Sequence, residues 1–304
     1  MATDRAIRDL DILLAVDGSE HSRAATQLLC DLPLTPASSI TALAVLVPRE
    51  ASGHAALEAA LEETRLIFHG KGVQVSTELL TGYPSEALSG YADEHKPDLI
   101  LLGAKGLRAT LGILLGGVVQ QIVEYARWPA MVVRAPYRGL QRVLLVVDPS
   151  VHSQRAAEYL SSFPLPPATE IHILHVLPPI PSPALVARTW PADLEAVPQI
   201  PSYETEAILA KQAEEEQHKG QALLDQTARF LVDRQLNSVP TLLRGDAATE
   251  IIDYVKTQRV DLIVAGARGL SPMRRLLLGS LSRKLVHYAG CSVLVVKGGE
   301  DGRD

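Results

Sequence analysis

Hydrophobic residues fall along this chain in short, unbroken runs separated by longer amphipathic stretches. Ten runs rich in leucine and β-branched residues read as strands: 11–16, 41–47, 73–80, 98–102 and 130–134, then 142–147, 170–176, 239–243, 261–265 and 292–296. Runs such as 99–102 and 262–265 are apolar throughout, which suits strands covered on both faces. Between the runs, apolar residues recur three and four apart, as at Ala24, Ala25, Leu28 and Leu29, the spacing of a helix with one buried face. Strands alternating with helices predict βαβ units and a parallel sheet.

The pattern occurs twice. DILLAVDGSEHSRAA, starting at Asp11, pairs with RVLLVVDPSVHSQRAA, starting at Arg142, and both contain Asp-x-Ser-x-His-Ser: Asp17, Ser19, His21, Ser22 and then Asp148, Ser150, His152, Ser153. Residues 82–106 pair without a gap with 245–269, and 129–136 echo 291–298. The expectation is an α/β chain of two doubly wound, Rossmann-like domains in tandem, 1–138 and 139–304. Each has a five-stranded parallel sheet in the order 3-2-1-4-5. The second copy carries extra residues between its early and late segments, including a stretch at 178–201 with seven prolines that cannot be a regular helix. A lid over a pocket and a long surface connection are both open readings of it. A helical segment follows at 203–236, and its acidic cluster, Glu214, Glu215 and Glu216, reads as a solvated face.

Composition narrows the function. With 47% hydrophobic and 21% charged residues the chain is globular. The net charge is −6 and neither half is basic, so no nucleic-acid footprint is expected. The two cysteines, Cys30 and Cys291, make no disulfide framework and fit a reducing, cytoplasmic setting. No secretory signal is read at the start, and no apolar run reaches the length of a membrane span.

The candidate chemistry lies in GARGLSPMRRLLLGS, which begins at Gly266. Gly266 follows the fourth strand of its copy, and Gly279 and Ser280 lead into a helix. A helix start offers unpaired N–H groups and the positive end of a dipole. Glycine allows an anion close to the backbone and permits positive φ. Ser280 adds a hydroxyl, and Arg268, Arg274 and Arg275 add positive charge. Together these describe a phosphate site. Turns and a helix cap are the simpler explanation of any single glycine, but not of this spacing repeated at Gly103, Gly106 and Gly116. In the expected strand order, Asp148 and the glycine loop flank the point where strand order reverses, an arrangement that suits a nucleotide. A helix-cap role for Asp148 stays open.

Other chemistries find no support. There is no G-x-x-x-x-G-K-[ST], no G-x-G-x-x-G after a first strand and no G-x-S-x-G. His172 and His175, three apart on a strand, point to opposite faces and make a poor metal pair. No metal site is expected, and no catalytic acid, base or nucleophile is marked.

These residues resemble the universal stress protein family, two copies of it in one chain. The family signature of ATP-binding members, G-2x-G-9x-G-[ST], is met in full by Gly266, Gly269, Gly279 and Ser280. Asp148 after the first strand, Val176 ending the second and the closing SVLVVK are also similar to the family. The resemblance implies ATP, with or without Mg²⁺. The glycines and Ser280 would hold phosphates, Asp148 would lie at the nucleoside, and the Val176 backbone would touch adenine. In the first copy Asp17, Val45, Gly103, Gly106 and Gly116 match, but Gly117 stands where Ser or Thr is expected. That copy is therefore expected to bind nucleotide more weakly or not at all. The resemblance also implies pairing through the last strands, here 130–134 with 292–296, as an internal pseudo-dimer; other docking and a homodimer stay open. The implied function is a cytoplasmic, ATP-binding regulatory protein of a stress response, with an unidentified protein partner and no catalysis. The alternatives are a nucleotide-free interaction module and, third, an ATPase or nucleotidyl transferase.

Overall fold

A computed structural model describes residues 7–48, 53–106, 115–182, 202–269 and 278–298, with the side chains of 202–205 excepted. In chain order the elements are β1 (Asp11–Ala15), α1 (Glu20–Asp31), β2 (Ser39–Leu46), α2 (His54–Ile67), β3 (Gln74–Thr81), α3 (Pro84–His95), β4 (Leu99–Gly103), α4 (Gly117–Tyr125) and β5 (Ala130–Val133). The second half follows with β6 (Arg142–Val146), α5 (Val151–Ser162), β7 (Glu170–Leu177), α6 (Ser202–Val232), β8 (Ser238–Arg244), α7 (Ala247–Gln258), β9 (Leu262–Gly266), α8 (Ser280–Tyr288) and β10 (Ser292–Val296).

The ten strands form one sheet in the order β3-β2-β1-β4-β5-β10-β9-β6-β7-β8. Each half has the order 3-2-1-4-5 and is parallel within itself. The halves join where β5 meets β10 antiparallel, with Met131 opposite Leu294. Apolar alternation along each strand feeds two cores. One face holds Ile12, Leu14, Leu145 and Val264 under α1, α2, α5 and α6. The other holds Leu13, Ile100, Leu144 and Ile263 under α3, α4, α7 and α8. Burial on both faces explains why these strands read as continuous apolar runs.

The second half departs from the first at α6, which has 31 residues where α2 has 14. Its carboxyl-terminal half is anchored by the buried Leu224 and Leu231. Gly220 lets the helix lie close to the sheet, since a Cβ there would stand 2.9 Å from Leu242 Cδ1 and 3.1 Å from His175 Cδ2. The amino-terminal half runs past the carboxyl end of the sheet and is held by Arg244 at the end of β8. Its guanidinium donates to the carboxylate of Glu216 (2.8 Å) and the carbonyls of Ala213 (3.0 Å) and Pro178 (2.9 Å). Glu216 is therefore a partner in the fold. Of the acidic cluster, Glu214 and Glu215 are exposed as a solvated face requires. Most of the proline-rich stretch, 183–201, lies outside the described residues, as do Arg274 and Arg275.

Candidate functional site

Strand order reverses between β6 and β9, and between β1 and β4, the points at which a doubly wound sheet forms a crevice at its carboxyl ends. In the second half Asp148 follows β6 directly. Its Oδ1 accepts the Ser150 N–H (3.0 Å) and the Ser150 hydroxyl. Ser150, not Asp148, caps α5, accepting the Ser153 N–H at 3.2 Å. Ser153 in turn holds the Asp148 N–H through its hydroxyl (3.0 Å). This accounts for the repeated Asp-x-Ser-x-x-Ser spacing: one residue caps the helix and the others fix the carboxylate. Oδ2 is turned toward the glycine loop. A Cβ on Gly269 would stand 2.7 Å from it.

The glycines work by close approach. None of Gly266, Gly269, Gly279, Gly103, Gly106 and Gly116 has positive φ, so that part of the expectation is corrected. Gly266 ends β9 beneath the first turn of α5, where a Cβ would meet the His152 carbonyl oxygen at 2.5 Å and carbon at 2.6 Å. Gly279 closes the loop, donating its N–H to the Ala267 carbonyl (2.8 Å), and a Cβ there would stand 3.2 Å from Arg268 Cα. Helix α8 then starts with no side-chain cap, whereas Ser19, Ser150 and Asp246 cap α1, α5 and α7. Its first N–H groups are thus not taken up by a capping side chain. Ser280, the first helical residue, is exposed, and its hydroxyl has no hydrogen-bond partner among the described residues. The buried Ser282 hydroxyl ties α8 to the end of β9 through the Gly266 carbonyl (2.7 Å).

Val176 stands on the other side of Asp148. In a parallel sheet, alternate residues bond to alternate neighbours. The Leu174 carbonyl accepts from Val147 N–H on the β6 side (2.9 Å), and that of Leu177 from Gly245 N–H on the β8 side (2.9 Å). Val176 therefore directs its backbone N–H and C=O to the β6 side, beyond Val146, where the ladder has ended. In the first half the same relation holds: the Leu43 carbonyl accepts from Val16 (2.9 Å) and that of Leu46 from Gly82 (3.0 Å), so Val45 faces the space past β1.

The first half repeats the rest with differences. A Cβ on Gly103 would meet Ser22 N at 2.6 Å, and one on Gly106 would meet Asp17 Oδ2 at 2.6 Å. Gly116 donates to the Ala104 carbonyl (2.9 Å). Ser19 sends its hydroxyl to the Lys105 carbonyl (3.1 Å) rather than to Asp17, tethering the loop to α1. Gly117 begins α4 with no neighbour within 4 Å of a Cβ placed on it.

Two repeated histidines, His21 and His152, sit behind the loops. His21 Nδ1 accepts the Ala135 N–H at 2.9 Å. Burial, then Lys105, lowers its pKa, and burial, then Arg268 and Arg155, lowers that of His152. Burial thus disfavours the charged form of both, and their signal in the sequence was only their shared position. His172 and His175 face opposite sides as expected, toward Tyr254 on α7 (2.7 Å) and toward Gly220 on α6. Among the described residues no three His, Cys, Asp or Glu side chains gather as a metal site, and no helix is long and apolar enough to cross a membrane.

Known proteins carry the same organisation. The universal stress protein family profile matches residues 11–134 and again 139–297. Universal stress protein YxiE of Bacillus subtilis is 25% identical over 156 residues, covering 51% of this chain and 98% of that protein. A universal stress protein of Mycolicibacterium smegmatis is 30% identical over 157 residues, 51% of this chain and 48% of its own. The crystal structure of a universal stress protein from Archaeoglobus fulgidus superposes with a TM-score of 0.65 at 18% identity, over 98% of this chain and 100% of that one. With two family domains in tandem and the same doubly wound fold, this chain belongs to the universal stress protein family.

Proposed function

We propose that this protein binds ATP in the crevice of its second unit, 139–304, and acts as a cytoplasmic regulatory protein of a stress response. One observation carries the reading: a carboxylate oxygen, a backbone edge beyond a finished strand and an uncapped helix start converge on one crevice. Asp148 Oδ2 would accept a hydrogen bond from the nucleoside. The Val176 N–H and C=O would read the edge of adenine. Gly266, Gly269 and Gly279 admit the phosphates to the backbone, and the Ser280 hydroxyl donates to them, with Mg²⁺ as their counter-ion. The Ser280 hydroxyl and the first N–H groups of α8 are neutral donors at the positive end of a helix dipole, which is the chemistry a polyphosphate needs. Binding rather than turnover is the proposed activity.

The first unit, 1–138, has the same crevice built from Asp17, Val45, Gly103, Gly106 and Gly116, but lacks the hydroxyl at Gly117. The proposal is one strong site and one weaker site. Calorimetry with ATP tests it, together with analysis of nucleotide released from heat-denatured protein. One strong binding event is expected, weakened several-fold by Ser280→Ala, about 1 kcal/mol for a lost hydrogen bond. No released nucleotide and no thermal shift at millimolar ATP would identify a nucleotide-free interaction module instead.

A further inference from the structure

The two phosphate-site helices are capped crosswise. Helix α4 begins at the first crevice with Gly117, and its carboxyl end receives Lys297, the residue after β10 in the other half. The Lys297 ammonium donates to the carbonyls of Ala126 (2.5 Å) and Ile122 (3.4 Å). Helix α8 begins at the second crevice with Ser280, and its carboxyl end receives Arg134, the residue after β5. The Arg134 guanidinium donates to the carbonyls of Val286 (2.9 Å) and His287 (3.1 Å). Each crevice thus depends on a helix whose negative pole is held by a cation from the opposite half. An ion pair between Arg283 on α8 and Glu124 on α4 (3.2 Å) lies between the two caps.

Lys297 is also joined to its own half's glycine loop. Val296, beside it, accepts the Ala267 N–H at 2.9 Å, and the Arg268 guanidinium acts on Lys297 as a like charge. The groups acting on Lys297 are therefore Arg268 from the loop and Glu124 with the two carbonyls from α4, while Arg155 from α5 lies against the next residue, Gly298.

We propose that the two crevices are coupled through this lysine: a polyphosphate on the second half's glycine loop, whose Ala267 N–H is bonded to Val296 beside Lys297, tightens the lysine's hold on the Ala126 and Ile122 carbonyls at the end of α4, the helix that forms the first crevice. The proposal rests on the nucleotide reading given above.

Burial first, and Arg268 next, bring the Lys297 ammonium down to about 8. At that pH its charge responds to small changes nearby. A bound anion raises this value, so binding draws a proton onto the protein. The contribution to affinity is complete below the unbound value and is lost as pH rises through the bound one.

The test is ATP calorimetry at pH 8 in buffers of different ionisation enthalpy, repeated at pH 7 and pH 9. Wild type is expected to take up a few tenths of a proton per ATP at pH 8 and to bind several-fold more tightly at pH 7 than at pH 9. Lys297→Arg, permanently charged, is expected to bind without uptake and with a flat profile. Lys297→Met is expected to lose the uptake and to weaken protection of 117–125 against amide exchange. ATP binding with no uptake, and with all three proteins alike, overturns the coupling and leaves the nucleotide site standing. No ATP binding at all overturns both.

Discussion

Gly269 lies against the carboxylate of Asp148: a methyl group at 269 would stand 2.7 Å from Oδ2. The two residues come from different βα units and meet only because β6 and β9 are neighbours in the sheet. Gly266 is crowded differently, with backbone atoms of His152 at 2.5 Å and 2.6 Å from a Cβ. A side chain can turn aside, whereas a helix backbone cannot. Gly266→Ala is therefore expected to cost about 1–3 kcal/mol of stability, the range for overpacking. Gly269→Ala should unfold near the wild-type midpoint but bind ATP at least tenfold more weakly, because Asp148 must move. Urea denaturation and calorimetry on the two variants distinguish these outcomes.

Gly117 has open space around it and no positive φ. Gly117→Ser should fold without strain, changing stability by no more than about 0.5 kcal/mol. It should also raise the affinity of the first crevice several-fold. An unchanged binding stoichiometry with unchanged heats would mean that the missing hydroxyl is not what distinguishes the two crevices.

Arg134 joins the halves through two carbonyls at the end of α8. Arg134→Met should destabilise the chain by about 1–3 kcal/mol, as hydrogen bonds to a charged group are lost. Arg134→Lys should recover part of this. Chemical denaturation provides the measurement, and a variant as stable as wild type would remove Arg134 from the account of how the halves are joined.

Arg244 holds the overhanging half of α6 through Glu216, Ala213 and Pro178. With Arg244→Ala, amide exchange should accelerate across 206–216 while the segment around Leu224 and Leu231 stays protected. Uniform exchange along the helix would show that the overhang needs no such anchor.

His21, His152 and His172 have pKa values lowered chiefly by burial. The unfolded chain takes up protons near pH 6.5 that the native state refuses, so stability is full above that pH and falls as pH drops below it. Each histidine adds to this slope, less where solvent screens it. A urea midpoint that stays level from pH 7 to pH 5 would contradict this.

Much of this architecture was legible in the residues alone. The apolar runs located all ten strands among the described residues, and the repeat of Asp-x-Ser-x-His-Ser and of the glycine spacing identified two copies of one unit. This worked because a strand buried on both faces must be apolar at every position, and because βαβ connections leave few ways to order five strands. The roles of individual side chains were less legible. Ser150 rather than Asp148 caps α5, Glu216 is an anchor rather than a surface charge, and the glycines serve close approach rather than positive φ.

Only the tertiary structure decided which distant groups meet. That β5 pairs antiparallel with β10, that His152 rests on Gly266, and that Arg134 and Lys297 cross to the far half's helices are relations between residues far apart in the chain. Hydrophobic periodicity reports which side of an element is buried. It carries no information on which carbonyl a lysine reaches once two sheets have joined, because that depends on the direction and distance at which packed elements approach one another.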